Sequence, residues 1–279
     1  MQIGIRLHDT KQLPLEERVK NVKEQGFTCA HLALSKVISD YSVADSALTP
    51  GFAMYLKNLF RKNDVDIAVL GCYLNLANPN EEKLKSVTER YLSHIRFASI
   101  LGCGVVGTET GNPNETYTYE EGRSHSEEAL ETFITNLRPV VEYAEKMGVI
   151  LAIEPVFTHI VCNPLRARRV LDEIASPNLR IILDPVNLLH ISNYQNREAI
   201  IKEAIEVLGD AVDVVHIKDF RVEESTLVSV AAGTGMMDYT DIIRFIKNEK
   251  PYIHVTLENT NPDNAVWAKE FIQKQWENA

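Results

Sequence analysis

The sequence predicts a single α/β domain over residues 1–279, a closed (β/α)8 TIM barrel, and three observations lead there. Short β-rich apolar runs alternate eight times with longer amphipathic stretches. The chain has 279 residues, close to the roughly 250 that one such barrel uses. No Pro/Gly/Ser-rich linker or break in composition divides it. With 45% apolar residues the chain can bury a core as one large domain or two small ones, so the unbroken alternation decides, not the length.

In order, the first four predicted strands are QIGIRL (2–7), TCAHLAL (28–34), DIAVLGCY (66–73) and GVVGTE (104–109). The next four are VILAIE (149–154), RIILD (180–184), VDVVHIK (212–218) and YIHVTLE (252–258). Each is nearly continuously apolar, as expected of a strand covered on both faces. Helical periodicity marks LPLEERVKNVKEQG (13–26), TPGFAMYLKNLFRKN (49–63), EEKLKSVTERYLSHIRFASILG (81–102) and SEEALETFITNLRPVVEYAEKMG (126–148). It marks NPLRARRVLDEIA (163–175), REAIIKEAIEVLG (197–209), DYTDIIRFIKN (238–248) and DNAVWAKEFIQKQWEN (263–278) as well. Gly26, Gly102 and Gly148 close three of these, glycine being a common helix stop. The competing arrangement, a doubly wound open sheet, lacks its dinucleotide signature, because no strand is followed by a G-x-G-x-x-G turn.

Charge and cysteine content exclude several function classes. Against 29 Lys and Arg stand 39 Asp and Glu, and a net charge of −10 repels phosphate backbones and anionic lipid. Neither nucleic acid nor a membrane is an expected partner. The four cysteines, Cys29, Cys72, Cys103 and Cys162, form no close pair, so they read as buried thiols, not a zinc knuckle or a disulfide framework. No basic segment leads into a long apolar one at the N-terminus, and a cytoplasmic protein is expected.

Reactive groups of such a barrel sit at the carboxyl ends of its strands. The last four predicted strands each reach an ionisable residue there: Glu154, Asp184, His216 and Glu258. Side chains alternate across a strand, so Glu154 shares a face with Ala152 and Ile150, Asp184 with Ile182, and Glu258 with Thr256. If those faces line the barrel, the four converge. Three crowded carboxylates would repel one another and resist ionising, and a divalent cation removes that conflict. Three oxygen donors and one imidazole suit Mn2+, Mg2+, Co2+ or Zn2+.

At AIEP (152–155), LDPVN (183–187), HIKD (216–219) and TLEN (256–259) the chain resembles the xylose isomerase-like barrel superfamily of sugar isomerases and epimerases, in that family's order and at roughly its separations. The resemblance covers essentially the whole chain. It implies that Glu154, Asp184, His216 and Glu258 hold one divalent metal ion, and that Glu154 and Glu258 exchange protons with a small-molecule sugar through an enediolate. It also implies a homodimer or homotetramer. The family's epimerases place an arginine shortly after the metal histidine, which favours Arg221 over Lys218 as a substrate contact. His8 and Glu109 end the first and fourth strands and can point into the same mouth. Asn187 stands where those epimerases often carry a histidine, and His159 near where they carry a further glutamate; both join the substrate-binding candidates.

The remaining histidines, His31, His94, His125, His190 and His254, are assigned structural roles. The turn AAGTGMMDY (231–239) reads as a plain turn capped by Asp238, since no basic residue flanks its one G-x-G. Three alternatives to an epimerase or isomerase stand at this stage. They are a dehydratase or lyase on a cyclitol or sugar derivative with the same metal site, an endonuclease IV-like DNA repair enzyme, and a non-catalytic sugar-binding barrel.

Overall fold

A computed structural model describes all 279 residues. The first half runs β1 (Gln2–Arg6), α1 (Leu15–Glu24), β2 (Cys29–Leu32), α2 (Leu34–Val37), α3 (Pro50–Lys62), β3 (Asp66–Gly71), α4 (Glu81–Leu101), β4 (Val105–Glu109) and α5 (Glu127–Met147). The second half runs β5 (Ile150–Glu154), α6 (Pro164–Ile174), β6 (Leu179–Leu183), α7 (Arg197–Leu208), β7 (Val212–Ile217), β8 (Asp219–Glu223), β9 (Thr226–Val230), α8 (Thr240–Glu249), β10 (His254–Leu257) and α9 (Ala265–Asn278). Eight parallel strands close into a barrel in the order β1-β10-β7-β6-β5-β4-β3-β2, and the longer helices surround it. This is the (β/α)8 TIM barrel that the alternation predicts. No helix is long and apolar enough to cross a membrane.

Local chemistry explains where the helices begin and end. Thr49, Asn80, Ser126 and Asn163 each accept a backbone N–H from the first turn of the helix that follows, which satisfies a donor the helix cannot. Gly102 and Gly148 stop α4 and α5 in the left-handed region, at φ +80° and +65°, where a side chain would be strained.

Two apolar layers result. A large cluster lies between strands and helices, and a small one inside the barrel comprises Cys29, Ala68, Val69, Ala152, Ile182 and Val214. The inner layer is tight enough to require glycine at 107: a Cβ there would lie 2.6 Å from Val69 and 2.7 Å from Ile182.

One element departs from expectation. After β7 the chain does not enter a loop but forms an antiparallel hairpin, β8–β9, outside the barrel. Its strands are buried only at Asp219 and Phe220 and mix polar with apolar residues, so they lack the continuous apolar run that marks a barrel strand. Glu224 turns the hairpin at φ +55°.

Candidate active site

The four strand-end residues come together at the carboxyl end of the barrel. His216 Nδ1 lies 3.2 Å from Glu154 Oε1 and 3.1 Å from Glu258 Oε1. Asp184 follows β6 directly, and none of the four is more than 5% exposed. The β6 strand yields there to Pro185 and a short turn over Val186–Leu188. Asp184 Oδ1 accepts the N–H groups of Val186 (2.9 Å) and Asn187 (3.2 Å), so the aspartate builds the turn that ends its own strand. Its Oδ2 is buried without a hydrogen bond of good geometry.

The expected charge conflict is relieved from within. Lys218 Nζ lies 2.9 Å from Asp184 Oδ2 and 3.2 Å from Glu258 Oε2, and Arg6 Nη1 lies 3.4 Å from the same Glu258 oxygen. The protein's own cations thus offset part of the crowding that the sequence reading assigned to a metal ion. Lys218 arrives because it stands two residues beyond His216 and so shares its inward face.

These neighbours set the protonation states. Burial disfavours the His216 imidazolium, but Glu258 and Glu154 together raise it to about 9. Burial also opposes charge on Glu258, yet His216, Lys218 and Arg6 hold its carboxyl well below the usual range. Asp184 goes the other way: burial pushes it up to about 6 against the pull of Lys218.

A cavity of about 160 Å³ opens over this cluster. Of the substrate-binding candidates, Lys218, His8, Glu109 and Asn187 line it. Asn187 links two of the site's groups, donating from Nδ2 to Glu154 Oε1 at 2.7 Å and accepting at Oδ1 from Lys218 at 2.7 Å. Burial, then the positive charges of Arg6 and Lys36, lower His8 to about 4. Burial raises Glu109, whose Oε2 accepts from the Tyr117 hydroxyl at 3.1 Å.

Arg221 and His159 are not brought to this cavity. Arg221 is exposed on β8 and donates to the Thr234 carbonyl at 2.6 Å, whereas Lys218 lines the cavity. His159 packs edge-on against Tyr117 at 5.2 Å. Burial holds it near 4.

Sequence reasoning missed other cavity residues. His31, given a structural role above, lines the cavity, stacks on His216 at 5.4 Å between ring centres, and lies 3.3 Å from the Tyr73 hydroxyl. Arg6, Lys36 and Tyr73 line it too. A search for ionisable strand ends passes over β2, whose predicted run ends apolar. The alternation that puts His31 on one face with Cys29 was the available signal.

The glycine-containing turn is closed to an outside anion by the protein's own carboxylate. Asp219 Oδ2 accepts the N–H groups of Gly233 (3.1 Å) and Gly235 (2.9 Å), and Oδ1 accepts that of Met237 (2.9 Å). Asp238 accepts the Thr240 N–H at 2.8 Å, just before α8.

Two sets of donors stand close enough to share a metal ion: Glu154, Asp184 and His216, and His31, His216 and Glu258. Asp184 Oδ2, paired with the Lys218 ammonium at 2.9 Å, and the His216 nitrogen between two carboxylate oxygens form a mixed oxygen and nitrogen donor set, which suits a divalent cation.

Residues 19–275 match the family described as xylose isomerase-like TIM barrel. A probable L-ribulose-5-phosphate 3-epimerase, UlaE, of Mycoplasma pneumoniae is 26% identical over 164 residues, which is 55% of this chain and 51% of that protein. The match thus spans about half of each. Among solved structures, a D-tagatose 3-epimerase-like protein aligns with a TM-score of 0.77 at 21% identity, over 100% of this chain and 98% of its own. The IOLI protein, solved with a zinc atom bound, gives 0.77 at 16% identity over 100% and 99%. At these identities the solved structures speak for the fold.

Proposed function

The chain belongs to the xylose isomerase-like TIM barrel family, and from that premise we propose that it is a divalent-metal-dependent sugar isomerase or epimerase that moves a proton beside the carbonyl of a ketose or related sugar. One observation carries the reading. Two buried glutamates, Glu154 on β5 and Glu258 just after β10, reach the same nitrogen of His216 from either side of the β6–β7 pair.

Glu154, Asp184, His216 and Glu258 would hold the ion. When bound, a divalent cation supplies Lewis-acid stabilisation of the negative charge that develops on the carbonyl and neighbouring hydroxyl oxygens. The proton work falls to the glutamates. Glu154 is held by Asn187 at 2.7 Å, and Glu258 by Lys218 at 3.2 Å and Arg6 at 3.4 Å, so each carboxylate is fixed before a substrate arrives. One glutamate takes the proton from carbon. Return by the other to the opposite face of that carbon inverts it, and return to the adjacent carbon isomerises the sugar. Lys218, Asn187, His8 and Glu109 face the space where substrate hydroxyls would sit.

The test is isotope exchange. The metal-loaded protein is incubated with a panel of ketoses in deuterated water, and deuterium at the carbon beside the carbonyl is followed by NMR. Wild type should incorporate deuterium, and Glu154→Gln and Glu258→Gln should each slow incorporation about a thousandfold. An unsaturated product from any substrate that exchanges would overturn the reading in favour of dehydration. Undiminished exchange in both variants would remove the glutamates from the mechanism.

A further inference from the structure

Glu109, the last residue of β4, stands in register with Glu154 on β5, one strand beyond those that carry the four strand-end groups. Adjacent strands lie about 4.8 Å apart, so a sugar whose reacting carbon faces Glu154 is within reach of Glu109. Glu109 lines the catalytic cavity, and the one side chain that donates to it is Tyr117, whose hydroxyl lies 3.1 Å from Oε2. Oε1 has no partner. Unlike the orphaned Nδ1 atoms of His8 and His31, which line the same cavity, that oxygen is not sealed off by protein.

Tyr117 itself does not line the cavity. It sits between β4 and α5 at φ +61°, a conformation that a bulky side chain seldom adopts. The surrounding turn imposes it. Asn114 Oδ1 accepts the Thr118 N–H at 3.0 Å and Asn114 Nδ2 donates to the Thr118 carbonyl at 2.7 Å, which closes the chain around Tyr117. Asn75, between β3 and α4, donates to the carbonyls of Asn112 and Asn114, both at 2.8 Å, and ties the turn to the barrel. Asn112 Nδ2 donates to the Tyr117 carbonyl at 3.4 Å, and His159 meets the Tyr117 ring edge-on at 5.2 Å. Strained backbone persists only where its neighbours over-determine it, and here it delivers a hydroxyl to Glu109.

On the reading of the cavity as a sugar site, we propose that Tyr117 is a positioning residue that occupies Oε2 of Glu109 and so aims Oε1 at one hydroxyl of the bound sugar, making the pair a determinant of specificity. A carboxylate with both oxygens free can turn about its last bonds, whereas one held at Oε2 keeps a single orientation. A hydroxyl directed at Oε1 gains a hydrogen bond. An inverted or missing hydroxyl leaves that oxygen desolvated and unpaired. Glu109 flanks Glu154 on the side away from His216, so the hydroxyl it selects lies on that side of the proton-transferring carboxylate.

Alditols test this apart from the reaction, since they carry the hydroxyls but no carbonyl and are not turned over. Isothermal titration of the full-length protein with pentitols and hexitols, in the presence of Mn2+, finds the alditol bound best. Its stereoisomers and monodeoxy analogues are then compared with it. Wild type should favour the parent at least about tenfold over the analogue altered at the contacted carbon. Glu109→Met should abolish that preference, and Tyr117→Phe, which keeps the ring against His159, should cut it to about threefold or less. The double variant should bind no more weakly than Glu109→Met, since Tyr117 acts through Glu109. A Tyr117 that only supports the loop would weaken every alditol equally and leave the preference intact.

The proposal is overturned by a wild-type preference in folded Tyr117→Phe, by additive losses in the double variant, or by no saturable binding of any alditol. Should Glu109→Met fail to fold, Tyr117→Phe decides alone. Deuterium exchange into ketoses is scored separately. Exchange in wild type with an unchanged preference in Tyr117→Phe leaves the reaction standing and sinks this proposal, and a reduced preference without exchange does the reverse.

Discussion

Lys218 Nζ lies 2.9 Å from Asp184 Oδ2 in the floor of the barrel mouth, a buried ammonium against a buried carboxylate. The pair makes the acidic cluster tolerable in the absence of an ion. It also places a protein cation beside the groups proposed to hold a metal.

Removing that lysine should therefore expose the charge it balances. Breaking one side of a buried pair costs about 3 kcal/mol, since the remaining charge is left unpaired. Lys218→Met should destabilise the metal-free protein by about that amount, and saturating Mn2+ or Zn2+ should restore most of it. Denaturant unfolding with chelator and with metal measures both. An equal loss in the two conditions would mean that Lys218 contributes packing, not charge.

Asn187 bridges Glu154 and Lys218, so its loss should disturb proton transfer more than binding. Asn187→Leu should lower kcat/KM about thirtyfold, near 2 kcal/mol, with the fall mainly in kcat. Metal content, read by elemental analysis, should stay at the wild-type level. A raised KM with kcat intact would instead make Asn187 a substrate contact only.

Acid should destabilise the fold through its buried neutral histidines. Burial, with a contribution from Arg90, lowers His94 from 6.5 to about 4, and burial does the same to His159. As pH falls through 6.5 the unfolded chain takes up protons that the folded protein refuses until about 4. Each residue's contribution is thus intact above 6.5 and lost progressively down to about 4. The slope is at most about 1.4 kcal/mol per pH unit for each histidine. His94→Gln should shrink the difference in unfolding free energy between pH 7 and pH 5 by up to about 2 kcal/mol. An unchanged difference would place the acid sensitivity elsewhere.

Several features are legible in the residue order because they are local. Continuous apolar runs mark the barrel strands, polar caps such as Thr49 and Ser126 mark helix starts, and Gly102 and Gly148 mark helix ends. Alternation along a strand puts Lys218 on the face of His216, a relation that holds whatever the neighbours are. The hairpin was hidden for the same kind of reason: beyond Asp219 and Phe220 its strands are exposed or half-buried, so burial leaves no continuous apolar run on them.

The order of the strands, and which of them end on Glu154, Asp184, His216 and Glu258, follow from the residue order, since period and composition are properties of neighbouring residues. What those groups touch depends on how the barrel closes. Closure of the barrel sets β10 between β1 and β7, which brings Arg6 and Lys218 to opposite flanks of Glu258. It also sets His31 against His216 and leaves Arg221 on β8, bonded to the Thr234 carbonyl. Such distances depend on register and packing between segments far apart in the chain, and no local pattern of residues encodes them.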